Sequence, residues 1–166
     1  FSTADDPEPL FAHGGDWGGV ITTILGGRFP EHVLGIHTTT AQAPPGLTTD
    51  GLTAAERGWT EETRDFWLRR AAYAKQQATR PQTIGYSLVD SPIGLADVTL
   101  YWLTRTGASA ARIYYESHDS LDPGLRVDVP SAITVYPRDI EKCPRPWAQE
   151  RFRRIVHWGS PEAGGH

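Results

Sequence analysis

A run of glycines interrupted by one acidic residue, HGGDWGG at residues 13–19, most constrains how this chain can fold. It follows a short apolar run and precedes a helix-like one. This layout predicts a nucleophile elbow, a strained turn from strand to helix that exposes one side chain, here Asp16. The strain predicts small residues two positions to either side, at Gly14 and Gly18. For these residues alone, a capping aspartate in a glycine-rich turn is the simpler interpretation.

The composition is that of one ordinary globular domain. The 166 residues are 39% hydrophobic and 22% charged, with a net charge of −4. Scattered basic residues argue against a nucleic acid partner, and no apolar run is long enough to span a membrane. The single cysteine, Cys143, excludes an internal disulfide and is typical of a reducing compartment. We therefore expect a cytoplasmic location, although the absence of an initial Met leaves an N-terminal anchor open.

The apolar pattern indicates alternating strands and helices, and hence an α/β fold with a mostly parallel sheet. The order strand, elbow, helix, strand near the start of the chain predicts a βαβ unit. We predict strands over residues 10–13, 33–37, 131–136 and 155–158, and helices over 17–26, 53–77, 98–117 and from 146 onward. Residues 53–56 (TAAE) form a capping box at the start of the second helix.

Two further polar residues follow predicted strands, as Asp16 does. Asp139 comes just after the strand at 131–136, and His166 lies in a glycine loop after the last strand. Nucleophile, acid and histidine in this order is the chain order of α/β hydrolases. The carboxyl ends of parallel strands share one edge, so the three side chains are expected there together. No histidine spacing is typical of metal ligands, and we expect neither a metal nor a cofactor.

Several sequence blocks, taken together, resemble the microsomal-type epoxide hydrolases, a family with the α/β-hydrolase fold. The blocks run nearly from end to end and comprise residues 14–18, 73–83, 90–96, 99–104, 114–116, 129–130, 136–140 and 164–166. The resemblance implies an α/β-hydrolase core in residues 1–40 and 123–166, with a helical cap region in residues 41–122. It also implies a fold that is incomplete at the N-terminus, because the family's first strands and His-Gly-x-Pro loop have no counterpart here.

The resemblance implies roles in ester formation for residues at both ends of the reacting bond. Asp16 would attack an epoxide carbon and form a hydroxyalkyl ester. Two cap tyrosines would donate hydrogen bonds to the epoxide oxygen, namely Tyr73 and Tyr115, with Tyr114 as the alternative to Tyr115. Without the resemblance, Tyr73 is more simply interpreted as a core aromatic.

The resemblance also implies how the ester would be hydrolysed. His166 would activate a water molecule, and Asp139 would hold the imidazole and stabilise its charged form. The backbone N–H of Trp17, the residue after the nucleophile, would stabilise the oxyanion. The implied partners are a small-molecule epoxide and water.

Two other functions stay open at this stage. A haloalkane dehalogenase-like hydrolase also uses an aspartate followed by tryptophan at the elbow, but it has no use for paired cap tyrosines. A non-catalytic remnant of an epoxide hydrolase is the second alternative, because segments of the family are missing. We expect the 166-residue chain alone to be weakly active or inactive.

Overall fold

A computed structural model describes residues 8–83, 107–117 and 121–165 of the chain. The helix predicted over residues 98–117 is described only from Gly107 to Glu116, and His166 lies outside the described residues. The chain divides into two compact units, one formed by Phe1–Arg64 and Leu121–His166 and the other by Asp65–Ser120. The domain boundaries predicted at residues 41 and 122 stay a prediction.

The first unit is built on a four-stranded parallel sheet whose strands lie in chain order. The strands are β1 (Leu10–Gly14), β2 (Val33–Thr38), β3 (Ser131–Thr134) and β4 (Ile155–Gly159). This confirms the predicted α/β class with a parallel sheet. The third strand is shorter than predicted because the chain turns at Tyr136, whose carbonyl accepts the N–H of Asp139 at 3.2 Å.

In the first unit, helices follow the strands β1, β2 and β3 along the chain. Helix α1 (Trp17–Arg28) connects β1 to β2 and completes the predicted βαβ unit, and a short 3-10 turn (Pro30–His32) leads into β2. Helix α2 (Ala54–Asp65) begins at the predicted capping box, where the Thr53 N–H donates to the Glu56 carboxylate at 3.0 Å. A short helix, Arg145–Arg151, precedes β4.

The hydrophobic core of the first unit includes residues of β2 and β3 and of the segments beside them. Its most buried members are Val127, Ile133, Ala148 and Phe152, each at most 1% exposed. Helix α1 approaches the sheet closely, since a Cβ added at Gly26 would lie 3.2 Å from a methyl group of Ile36 on β2. Burying each large apolar side chain contributes about 2 kcal/mol, so this core holds the edge that carries Asp16 and Asp139.

The single helix predicted over residues 53–77 is interrupted. After α2, residues Phe66–Arg70 form a π-helical turn in which the Ala71 N–H donates to the Phe66 carbonyl at 3.0 Å. A π-helical turn holds one residue more than an α-helical turn, and helix α3 (Ala72–Thr79) starts only after it. The prediction of one continuous helix is therefore wrong.

The described part of the second unit consists of that π-helical turn, α3 and helix α4 (Gly107–Glu116). Helices α3 and α4 pack against each other. The last helix of the first unit, Arg145–Arg151, is α5. Over the described ranges, every helix falls short of the length and apolar character needed to cross a membrane.

Candidate active site

Asp16 lies in a strained turn between the end of β1 and the start of α1. Its φ of 50° and ψ of −130° are unusual, and it is the one non-glycine residue with positive φ in the described part of the chain. Holding such a conformation costs about 1–3 kcal/mol, and strain of this kind is concentrated at functional sites. The Asp16 side chain makes no capping hydrogen bond to α1. The geometry is that of the predicted elbow and not of a simple helix cap.

The glycines around Asp16 differ in how closely they are packed. A Cβ added at Gly14 would lie 2.2 Å from the Gly18 carbonyl oxygen, so Gly14 cannot carry a side chain. A Cβ at Gly18 would meet nothing within 4 Å, and the predicted need for a small residue there is wrong. The crowded position is instead Gly19, where a Cβ would lie 2.9 Å from Thr38 Oγ1. The helix starts close to β2 at Gly19, which leaves Gly18 on an open side.

The loop after β2 contacts the elbow through its threonines. The Asp16 N–H donates to Thr40 Oγ1 at 2.9 Å, and the Thr39 N–H donates to the Gly14 carbonyl at 3.2 Å. Thr40 is 6% exposed, so water competes little for this bond. Thr40 could not be found from the sequence, because three consecutive threonines at the end of a strand and the start of a loop carry no signal for a contact 24 positions away.

Asp139 lies in a tight turn after β3, which we call the acid turn (residues 136–140). Its side chain is buried, and one carboxylate oxygen accepts the Ile140 N–H at 2.8 Å. The adjoining Arg138 forms a parallel bridge with Gly165, and its N–H donates to the Gly164 carbonyl at 3.2 Å. The acid turn is therefore hydrogen-bonded to the loop that leads directly to position 166.

The loop before position 166 requires glycine at one position. Gly164 has a φ of 116°, and an added Cβ would lie 2.5 Å from the ring of Tyr136. A side chain at Gly164 would therefore force the loop away from the acid turn. His166 itself, the predicted base, is outside the described residues.

A buried lysine ties the acid turn to helix α2. Lys142 is 8% exposed, and its ammonium group donates to the Pro137 carbonyl at 3.1 Å and pairs with the Glu62 carboxylate. A buried ammonium group is costly without such partners, so each end of this connection depends on the other. The connection fixes the position of the acid turn within the first unit.

The predicted tyrosines lie on the two helices of the second unit. Tyr73 is on α3 and Tyr114 is on α4, with ring centroids 6.1 Å apart and planes at 83°. Tyr115 is 58% exposed and Tyr73 is 43% exposed. The structure therefore brings Tyr73 together with Tyr114, the sequence-based alternative, while Tyr115 projects to a more exposed position.

Three histidines lie on neighbouring parts of the sheet, on β1, β2 and β4. The rings of His13 on β1 and His37 on β2 are stacked with centroids 4.7 Å apart, and His37 Nε2 is 2.9 Å from Thr134 Oγ1 on β3. Burial lowers the pKa of His37, and the neighbouring His13 and His157 lower it further. A neutral His37 thus connects the strand before Asp16 to the strand before Asp139.

A separate cavity of about 800 Å³ lies in the first unit and does not include Asp16 or Asp139 in its lining. Cys143 lines it together with Trp147, Arg57 and Arg151. Burial raises the pKa of the Cys143 thiol to about 12, so this thiol stays protonated near neutral pH. A protonated, buried thiol is not a nucleophile, which leaves Asp16 as the nucleophile candidate with the appropriate geometry.

The chain is similar in sequence and structure to known proteins, although no family model matches it. A provisionally named epoxide hydrolase of Stigmatella aurantiaca is 34% identical over 93% of this chain and 42% of its own length. Epoxide hydrolase 1 of Sus scrofa is 24% identical over 96% of this chain and 47% of its own length.

A solved structure gives the same result. The epoxide hydrolase of Aspergillus niger superposes with a TM-score of 0.82 and 28% identity, over 95% of this chain and 47% of that one. This chain thus spans less than half the length of each of these relatives. The resemblance deduced from the sequence blocks is confirmed, and the chain has the α/β-hydrolase fold of these epoxide hydrolases.

Proposed function

We propose that this chain carries the reacting groups of an epoxide hydrolase, which opens an epoxide to a vicinal diol through an aspartyl ester. The observation that carries the proposal is the strained elbow with an aspartate at its apex, in a chain related to epoxide hydrolases. A carboxylate at this turn is presented beside the N-terminus of α1, where nearby backbone N–H groups favour negative charge. Carboxylates form covalent esters when they act as nucleophiles.

In the first step, a carboxylate oxygen of Asp16 attacks an epoxide carbon and the carbon–oxygen bond of the ring breaks. The epoxide oxygen is a poor leaving group unless it receives a proton or strong hydrogen bonds. Tyr73 and Tyr114 supply these in our proposal, because a phenol is protonated at neutral pH and can donate. Their ring contact at 6.1 Å supports this pair, with Tyr115 as the alternative second donor.

In the second step, water attacks the ester carbonyl carbon while His166 removes its proton. Asp139 orients and stabilises the resulting imidazolium, and the N–H of Trp17 at the start of α1 stabilises the oxyanion. The bonds from the acid turn to Gly164 and Gly165 support this role for Asp139, because they adjoin position 166 in the chain. The intermediate collapses by breaking its bond to the alkyl oxygen, which takes the proton from the His166 imidazolium and leaves as the diol. The remaining acid proton returns to the tyrosine that protonated the epoxide oxygen, which restores the Asp16 carboxylate.

The partners in this reaction are a small-molecule epoxide and water. The single, buried cysteine is in keeping with a reducing compartment, and we propose that the reaction takes place in the cytoplasm.

The proposal is tested by a single turnover with styrene oxide, followed by intact-mass analysis and peptide mapping. We expect one epoxide added to the peptide that contains Asp16 and no addition to the D16N variant. Chloride release from a chloroalkane, with no epoxide adduct, would instead indicate a haloalkane dehalogenase. A folded chain that forms no adduct with either compound would identify a non-catalytic remnant.

A further inference from the structure

Thr40 contacts the backbone of Asp16 but has no part in the two chemical steps proposed above. Its hydroxyl accepts the backbone N–H of Asp16 at 2.9 Å from a loop that is remote in sequence. We propose that Thr40 is a positioning residue, whose hydroxyl holds the nucleophile in the backbone conformation from which its carboxylate attacks. This inference rests on the proposed function, since it assigns Thr40 a part in the rate of ester formation.

The bond matters because of where the Asp16 N–H lies. It precedes α1, so no carbonyl of that helix can accept it. On the other side of the residue, the Asp16 carbonyl accepts the Gly19 N–H at 2.9 Å and the Val20 N–H at 3.3 Å. Thr40 and α1 therefore hold the two peptide planes that flank Asp16. With both planes held, the φ of 50° and the direction of the side chain are fixed.

Thr40 is itself held in place, which a positioning role requires. Its N–H donates to Thr38 Oγ1 at 3.1 Å, and Thr38 is fully buried at the end of β2. Its carbonyl lies close to α1, where a Cβ added at Gly19 would be 3.1 Å away. The acceptor is thus placed by the sheet and by the helix start, the same two elements that define the elbow.

The side-chain chemistry of Thr40 gives two informative variants. Thr40→Val keeps the branched shape and removes the acceptor, whereas Thr40→Ser keeps the acceptor and removes the methyl group. A matched control is Thr23→Val, because Thr23 is also buried and its hydroxyl donates to a backbone carbonyl, that of Gly19, at 2.7 Å. The control removes a buried hydroxyl of the same type but leaves the Asp16 N–H bond intact.

Two measurements are made on each variant. Amide hydrogen exchange at Asp16, followed by NMR, reports the bond directly, and single-turnover mass analysis with styrene oxide reports the rate of ester formation. We expect Thr40→Val to accelerate exchange at Asp16 and to slow ester formation, each by about tenfold. We expect Thr40→Ser to stay within about threefold of the unmodified chain in both measurements. Thr23→Val should lower the melting temperature without changing either rate.

The outcomes separate this inference from the proposed function. Unchanged exchange at Asp16 in Thr40→Val, or ester formation as fast as in the unmodified chain, would overturn the role of Thr40. Equal slowing of ester formation in Thr40→Val and Thr23→Val would show a general loss of stability and would also overturn it. Absence of any adduct in the unmodified chain would overturn the proposed function and, with it, the part of Thr40 in ester formation. The exchange measurement needs no substrate, so it would still decide whether Thr40 holds the Asp16 N–H.

Discussion

The two carboxylates at the sheet edge have opposite surroundings. Asp16 has an exposed side chain on a strained backbone, at a turn that ends one strand and starts a helix. Asp139 has a buried side chain on a tight turn, and its carboxylate accepts the N–H of the next residue. Exposure and strain suit a group that must reach a substrate, whereas burial and internal hydrogen bonds suit a group that must hold another side chain still.

Exchanging each carboxylate for its amide should have the largest effect, because it removes the charge on which each proposed role depends. We expect Asp16→Asn to abolish the covalent adduct, because a neutral amide is a poor nucleophile. We expect Asp139→Asn to leave adduct formation within about tenfold but to slow ester hydrolysis by about 10²–10⁴-fold, because the imidazole loses its orienting anion. Single-turnover mass analysis over time checks both, since the Asp139 variant should accumulate the ester. An Asp139 variant that forms no ester would contradict the division of roles.

The crowding at the elbow gives the next largest effect. We expect Gly14→Ala to destabilise the fold by about 2–3 kcal/mol, because its Cβ would collide with backbone 2.2 Å away. Gly18→Ala is the matched control, since its Cβ meets nothing within 4 Å and alanine favours helices by about 1 kcal/mol. Urea unfolding of the two variants measures the difference. Equal losses of stability would show that packing does not explain the glycine at position 14.

The strain at Asp16 predicts that a variant without the nucleophile can be more stable than the unmodified chain. Asp16→Gly should raise the free energy of unfolding by a net amount of about 1 kcal/mol, because glycine adopts a positive φ with little strain. The same change removes the nucleophile. Thermal unfolding should therefore show a higher midpoint for Asp16→Gly than for Asp16→Ala. A lower or equal midpoint for the glycine variant would show that the turn stores no strain.

The smallest effect concerns the histidine that connects the two regions. The pKa of His37 is lowered on folding, so the unfolded chain takes up a proton at this site at higher pH than the folded chain does. The stability contributed by neutral His37 is therefore present above about pH 6.5 and is lost as the pH falls below that value. Urea midpoints at pH 7.5 and 5.5 should differ less in His37→Gln than in the unmodified chain. An identical pH dependence of the urea midpoint in both would show that His37 does not contribute to the loss of stability at low pH.

Local sequence patterns predicted the parts of the site that depend on neighbouring residues. The elbow at Asp16, the individual strands and the capping box at Thr53 each arise from residues within one short segment, and all are present. The Thr40 bond could not be predicted, because it joins positions 24 apart through a contact that only the folded sheet creates. The crowding at Gly19 rather than Gly18 likewise depends on where β2 lies.

The helices of the second unit also have features that sequence spacing could not predict. The aromatic residues Trp59, Phe66 and Tyr73 are seven apart, and this spacing fits one continuous helix. The π-helical turn at Phe66–Arg70 comes before Tyr73 and rotates the following residues by one extra position, which the spacing counted along the sequence does not reveal. Tyr114 and Tyr115 are adjacent and chemically identical, and packing of α4 on α3 is what distinguishes them.

The central claim, a covalent ester on Asp16, is tested most directly by a turnover experiment in water enriched with ¹⁸O. If Asp16 attacks carbon and water then attacks the ester carbonyl, the diol from the first turnover carries an oxygen from the protein. We expect an unlabelled diol in that turnover and ¹⁸O in the peptide that contains Asp16. A labelled diol in the first turnover, with no ¹⁸O in that peptide, would show that water opens the epoxide directly and would contradict the account.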